Sequence, residues 1–243
     1  MTRGELFVAP IVGAVVDARP AAGGWRVTGR APSVDNAVRA QLFLVRARLA
    51  DGAGMTLLVP RAATTVGPPH MTLGGRGLES CDVGFDTPVT HGSVLGDAAG
   101  AAERVLRLGT AAIAVGLAQA AFEAALRYSQ QRTTFGQPIC QHQAIQLKLA
   151  DMATGITASR LLVYDAAETM ADVFGDERVA MAKLEATETA YRVALESMRI
   201  HGGYGYTAEF PIERYYRDAA RLLVMPTTND DERRRLAAAL VDT

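Results

Sequence analysis

Between Gly96 and Gly100 the periodicity of the chain changes, and that change limits the fold more than any other feature. Before it, from Leu6 to Leu95, short runs alternate apolar and polar residues between Gly- and Pro-rich turns, as strands with one buried face do. Ala14–Arg19 and Trp25–Thr28 flank Pro20-Ala21-Ala22-Gly23-Gly24, which reads as a hairpin. Gln41–Arg48 and Met55–Pro60 flank Asp51-Gly52-Ala53-Gly54 and read as a second. Val83–Asp86 suggests a further strand. After the switch, Leu106, Gly109, Ile113, Gly116, Leu117, Ala120 and Ala124 recur at three- and four-residue steps, a helical stripe. Ile145, Leu149, Met152, Ile156 and Val163 mark a second helix, and Met181, Leu184, Tyr191, Leu195 and Met198 a third. A fourth starts at Thr228-Asn229, where Asp230, Asp231 and Glu232 suit the positive end of the helix dipole. Strands followed by helices predict an α+β chain: a small antiparallel β domain over 1–96, then a four-helix up-down bundle over 97–243.

A chain of 243 residues, 49% hydrophobic and 21% charged, can bury a sizeable core in one or two domains. Its net charge of −1 supplies no field for nucleic acid or anionic lipid, so any large anion must be held by local arginines. Neither a signal peptide at Met1–Glu5 nor a run of roughly 18 apolar residues is evident, so no membrane is expected. Cys81 and Cys140 lack metal-ligand spacing, which predicts free thiols, no metal site and a cytoplasmic setting. Glu188 falls among apolar neighbours and needs a cationic partner.

Two stretches carry chemistry. Arg199-Ile200-His201-Gly202-Gly203-Tyr204-Gly205-Tyr206 packs three glycines into four positions, which ends a helix on a tight turn. Such a turn is either an ordinary C-cap or a cradle for a phosphate or a flat ring. The other stretch is Tyr128-Ser129-Gln130-Gln131-Arg132-Thr133-Thr134-Phe135-Gly136-Gln137-Pro138-Ile139, followed by Gln143. Its R-x-x-F-G-x-P-I turn, the later G-G-x-G-Y and the Glu213-Arg214-Tyr215-Tyr216-Arg217-Asp218-Ala219 motif occur together in one order. In this the chain resembles the acyl-CoA dehydrogenase family from about Val15 onward.

The resemblance implies a β-barrel-like middle domain and a C-terminal bundle, without the helical domain that precedes them in the family. It implies FAD and an acyl-CoA or other acyl thioester, with a Glu removing the α-proton while hydride leaves for the flavin. One family position for that Glu falls here on Pro226 and another on Leu106, neither of which accepts a proton. Glu103, one turn before Leu106, is the substitute carboxylate, with an exposed helix acid as the simpler account. Arg132, Thr134, Phe135, Ile139, His142, Gln143, Gly202 and Gly203 match positions that hold a neighbouring subunit's FAD. Arg199 stands where the family has Gln, and Thr228 belongs to the same cofactor set. Arg107 matches a position near the substrate thioester, the alternative being a surface arginine. Ser33-Val34-Asp35-Asn36 replaces a segment whose Trp packs on the flavin; Ser33 cannot stack, and Asp35 adds negative charge. The T-E-P-x-x-S-D segment is not recognisable in Ala9–Gly13. The implied protein is a homo- or hetero-oligomeric subunit lacking the base and completing a partner's FAD site. A flavin-free lyase or dehydratase on the same fold, or a truncated non-catalytic paralogue, are the alternatives.

Overall fold

A computed structural model describes residues 6–11, 15–95, 98–172 and 175–241. Residues 1–5, Val12 and Gly13 of the Ala9–Gly13 stretch, Ala14 of the first expected strand, and Gly96 at the expected boundary lie outside these residues. The chain divides into two compact units, Met1–Glu103 and Arg104–Thr243.

The first unit is a seven-stranded sheet. Its strands are β1 (Val8–Ile11), β2 (Val15–Ala21), β3 (Gly24–Val34), β4 (Leu42–Arg48), β5 (Gly54–Pro60), β6 (Thr64–Val66) and β7 (Cys81–Thr90). Both expected hairpins form, with Ala21 opposite Gly24 in one and Arg48 opposite Gly54 in the other. Burial alternates strictly along β7, so the period of two seen in the sequence is the period of the core. The sheet runs β1-β4-β2-β3-β7-β6, and β5 also pairs with β4. It is mixed, because β1 and β2 pair with β4 in parallel. Hairpin signals are local, whereas a parallel pair joins segments about thirty residues apart and leaves no turn to read. Phe43 and Phe85 meet edge-on in the core, ring centroids 6.2 Å apart.

The second unit is helical. Helix α1 (Ala98–Gln131), which belongs to this unit from Arg104 on and to the first unit through Glu103, leads into a two-residue ladder, β8 (Thr133–Thr134) and β9 (Gln137–Pro138). Then come α2 (Gln143–Glu168), α3 (Gly175–His201), α4 (Ile212–Leu222) and α5 (Asn229–Val241). Helix α4 adds a fifth member to the expected four; it carries the E-R-x-x-R-D-A motif, whose charges obscure a helical period.

Alanines line the core: Ala111, Ala114, Ala118, Ala121 and Ala125 of α1, and Ala182, Ala186, Ala190 and Ala194 of α3, are all buried. Small side chains let backbones approach, and a Cβ on Gly155 of α2 would stand 3.3 Å from Thr189 of α3. The buried faces of α1 and α3 are turned relative to the expected stripes: Gly109, Ile113 and Gly116 are exposed, as is Met181. In helices this rich in alanine both faces look apolar, so a reading that keeps charge outside selects the wrong one. The true core faces carry Arg107 and Lys183, both 0% exposed. The same abundance makes Gly100–Gln131 long and apolar enough to cross a membrane by length and composition, against the sequence expectation.

Candidate functional site

Phe135 and Gly136 turn the β8–β9 ladder with φ of 51° and 82°. Two positive values in a two-residue loop define a type I′ turn, whose first position normally favours Asn or Asp over a bulky ring. The turn sets Phe135 outward, 97% exposed, with its ring edge-on to His142. His142 braces this turn from inside. The Gln137 amide donates to its Nδ1 (3.2 Å), so Nε2 carries the proton and donates to Thr134 Oγ1 (3.1 Å). Both ring nitrogens are therefore used within the turn, while the Thr134 hydroxyl keeps its own proton to donate.

Behind the turn lies a pocket of about 510 Å³. Arg132, Thr134 and Ile139 line one side, and Gly202 and Gly203 the other, together with Tyr128, His201, Tyr204 and Glu209. Five of the predicted cofactor residues thus converge. Gly202 takes φ of 59°, and nothing lies within 4 Å of where a Cβ on Gly202 or Gly203 would stand, so the turn opens onto free space. Gly205 serves packing: its Cβ would stand 2.5 Å from the Met198 carbonyl oxygen. Gly205→Ala is expected to lose about 1–3 kcal/mol in urea unfolding from overpacking. Gly203→Ala should cost no more than its helix-end context dictates, under about 1 kcal/mol.

His201 forms the pocket wall. It stacks on Tyr128, centroids 4.3 Å apart, and meets Phe210 edge-on. Burial lowers its pKa, opposed by the bond of Nδ1 to the Ser197 carbonyl (2.8 Å), so the ring is neutral near pH 7 with its lone pair on Nε2. The pocket's cation is then Arg132, with Glu209 as its acidic counterpart. The glycine stretch alone does not single out His201 as a site residue, because its aromatic partners come from α1 and from the loop before α4.

Other predicted residues stand apart from this pocket. Gln143 is exposed at the first position of α2. Arg199 is exposed on α3 and ion-paired with Glu196, which Lys148 also contacts. Burial would raise the Glu196 pKa, but the bonds from these two cations outweigh it and the net shift is downward. Thr228 caps α5: its Oγ1 accepts from the Asp231 amide (3.1 Å), and Asp231 accepts from the Thr228 amide (3.2 Å).

Arg107 requires a correction, since its side chain is neither on the surface nor open to a ligand within this chain. It is 0% exposed and donates through Nε to both Glu232 oxygens (3.0 Å each) and through Nη1 to Asp176 (2.5 Å). Burial pushes its pKa down, and the two carboxylates more than reverse that. Glu232, one of the three first-turn acids that suit the helix dipole, is likewise 0% exposed. Glu188 has its cationic partner in Arg233. The Glu103 side chain is 12% exposed, with Arg46 at 4.0 Å, which departs from an exposed helix acid. Pro226 and Leu106 are half-buried.

In the first unit, Ser33 and Asn36 have φ of 51° and 55°. The Ser33 amide donates to Asp82 (3.0 Å), and Asp35 accepts from the Ser80 hydroxyl. Asp82 also binds Arg30 and His70, and these bonds, Arg30 first, hold its carboxyl well below the usual range. The polar groups of this stretch are thus engaged within the sheet unit. A larger hollow of about 710 Å³ lies on Gly29, Thr64 and Gly84, but no predicted site residue lines it.

For the adenosine-pyrophosphate half of a dinucleotide the pocket fits: it is open, glycine-floored and carries one arginine. For the isoalloxazine ring the Ser33–Asn36 stretch does not fit, having no aromatic to stack. Residues 98–241 match the family description "Acyl-CoA dehydrogenase, C-terminal domain". The chain is 38% identical over 215 residues to benzylmalonyl-CoA dehydrogenase of Aromatoleum aromaticum, covering 83% of this chain and 57% of that protein. It is similar in structure to butyryl-CoA dehydrogenase from Megasphaera elsdenii (TM-score 0.89, 30% identity, 98% of this chain and 69% of that one). It is also similar to a chain of the ChsE4-ChsE5 complex from Mycobacterium tuberculosis (TM-score 0.90, 26% identity, 99% and 68%). The chain spans about half the length of the curated relatives it matches.

Proposed function

Since the chain belongs to the acyl-CoA dehydrogenase family, we propose that it serves flavin-dependent α,β-dehydrogenation of an acyl thioester as the subunit that completes a partner's FAD site. The base is then supplied by the partner. The observation that carries this reading is an asymmetry. The Arg132–Gly203 pocket is assembled and open, whereas Pro226 and Leu106 occupy the family's base positions and Ser33 the place of its stacking aromatic. A flavin held there would supply the acceptor for the β-hydrogen as hydride. This chain's part is to grip: the Arg132 guanidinium would hold the pyrophosphate, the Thr134 hydroxyl would donate to it, and Gly202 and Gly203 would admit close approach.

An outward, fully exposed Phe135 held at positive φ supports a subunit interface beside the pocket, because a strained exposed ring gains only when something covers it. The exposed apolar residues Val105 and Ile113 of α1 support association too. That a relative was solved as the ChsE4-ChsE5 complex makes a two-protein arrangement a natural form for it.

Co-expression with a longer homologue carrying the base tests the reading. A yellow complex is expected, and Arg132→Glu should cut its flavin occupancy about tenfold or more, the loss of a charge-assisted contact. A yellow, active protein obtained from this chain alone overturns the partner-subunit reading.

A further inference from the structure

The segment from Leu223 to Thr228 joins α4 to α5 without regular structure and contains Pro226. Such a segment wanders unless its carbonyls are tied down. Here the tie is a buried side chain from another helix. Lys183 of α3 is 0% exposed, and its Nζ donates to the Thr227 carbonyl (2.7 Å), to Asn229 Oδ1 (2.7 Å) and at 3.5 Å to the Leu223 carbonyl. The two ends of the segment therefore meet on one ammonium. The Asn229 amide closes the loop on the Leu223 carbonyl (2.9 Å), and Thr187 Oγ1 donates to Asn229 Oδ1 (3.1 Å). From the other side the Thr227 hydroxyl binds Glu232, which is itself held by Arg107 of α1.

We infer that Lys183 is a positioning residue: its ammonium clasps both ends of the 223–228 segment and fixes the wall around Pro226, which falls at one of the family's base positions. Glu232 and Arg107 brace the clasp from α5 and α1. The inference rests on the function proposed above for what that wall faces, but the clasp itself is a property of this chain. An apolar residue at 183 would fill the same space, leave the Thr227 carbonyl without this donor, and take one donor each from Asn229 Oδ1 and the Leu223 carbonyl, which keep Thr187 and the Asn229 amide. The consequence is local, because these acceptors belong to the segment and the start of α5, while the alanine core of α1, α2 and α3 does not depend on them.

Amide hydrogen exchange on the full chain tests this. In Lys183→Met, peptides covering 223–229 should exchange about tenfold faster, the loss expected for a hydrogen bond from a charged group. Peptides covering Met152 to Val163 of α2 should change less than about twofold. Should that variant fail to fold, Asn229→Ala removes one of the three acceptors and should give the same local pattern at about threefold. An equal rise in both regions, or none at 223–229, overturns the assignment. Flavin occupancy of a co-expressed complex is scored separately: its absence counts against the proposed function, while local exchange decides the clasp.

Discussion

Arg107→Met is expected to destabilise the helical unit by about 3–5 kcal/mol, because it leaves the Glu232 carboxylate buried without its cation. Arg107 and Glu232 are both 0% exposed, and three contacts of 3.0 Å or less join them. Glu232→Met should cost a similar amount, since Arg107 then keeps only Asp176, whose side chain is 40% exposed. The double variant Arg107→Met/Glu232→Met should recover most of the loss. Two flexible apolar side chains can fill the space, and removing both charges removes the desolvation that each imposes alone. The Thr227 hydroxyl loses its partner in the double variant, which leaves a residual cost of about 1 kcal/mol. Urea unfolding of the four proteins measures the coupling directly. Strictly additive losses, or single variants within about 1 kcal/mol of the parent, would show that this pair is not the buried ionic tie between α1 and α5.

That pair also marks where reading the chain alone stops. Arg107 and Glu232 are 125 positions apart, and each has a sufficient local explanation. An arginine on a long helix reads as surface, and three acids behind Thr228 read as a dipole-favoured first turn. The local account holds for Asp231, which forms the cap, and fails for Glu232, one residue on and turned inward. The hairpins were legible because turn chemistry and alternation coincide within about fifteen residues. The parallel pairing of β1 with β4 was not, since no turn announces it. In the pocket, Arg132, Thr134, Ile139, Gly202 and Gly203 were legible as residues of two motifs. What motifs do not convey is orientation: His142 turns both nitrogens into its own turn, and Arg199 faces Glu196. His201 becomes a wall only because Tyr128 and Phe210 arrive from elsewhere in the chain.

Stability measured against pH should carry the signature of Lys183. Burial lowers the pKa of this amine from its ordinary 10.5 to about 8, with Glu232 opposing the shift and Arg107 adding to it. Below pH 8 the amine is protonated in the folded and the unfolded chain alike, and the folded state carries the full desolvation of a buried ammonium. Between about 8 and 10.5 the unfolded chain holds a proton that the folded chain has released. Raising the pH through this window therefore favours folding, by up to about 1.4 kcal/mol per pH unit, and above 10.5 the contribution is flat. The sign is opposite to that of a lysine stabilised by a salt bridge, whose stability falls as the amine loses its proton. Other groups titrate in the same range, so the decisive quantity is the difference between wild type and Lys183→Met. That difference should shift toward wild type as pH rises from 8 to 10. A difference that moves the other way would mean that the hydrogen bonds to the ammonium and the charge of Glu232 together outweigh burial at this site.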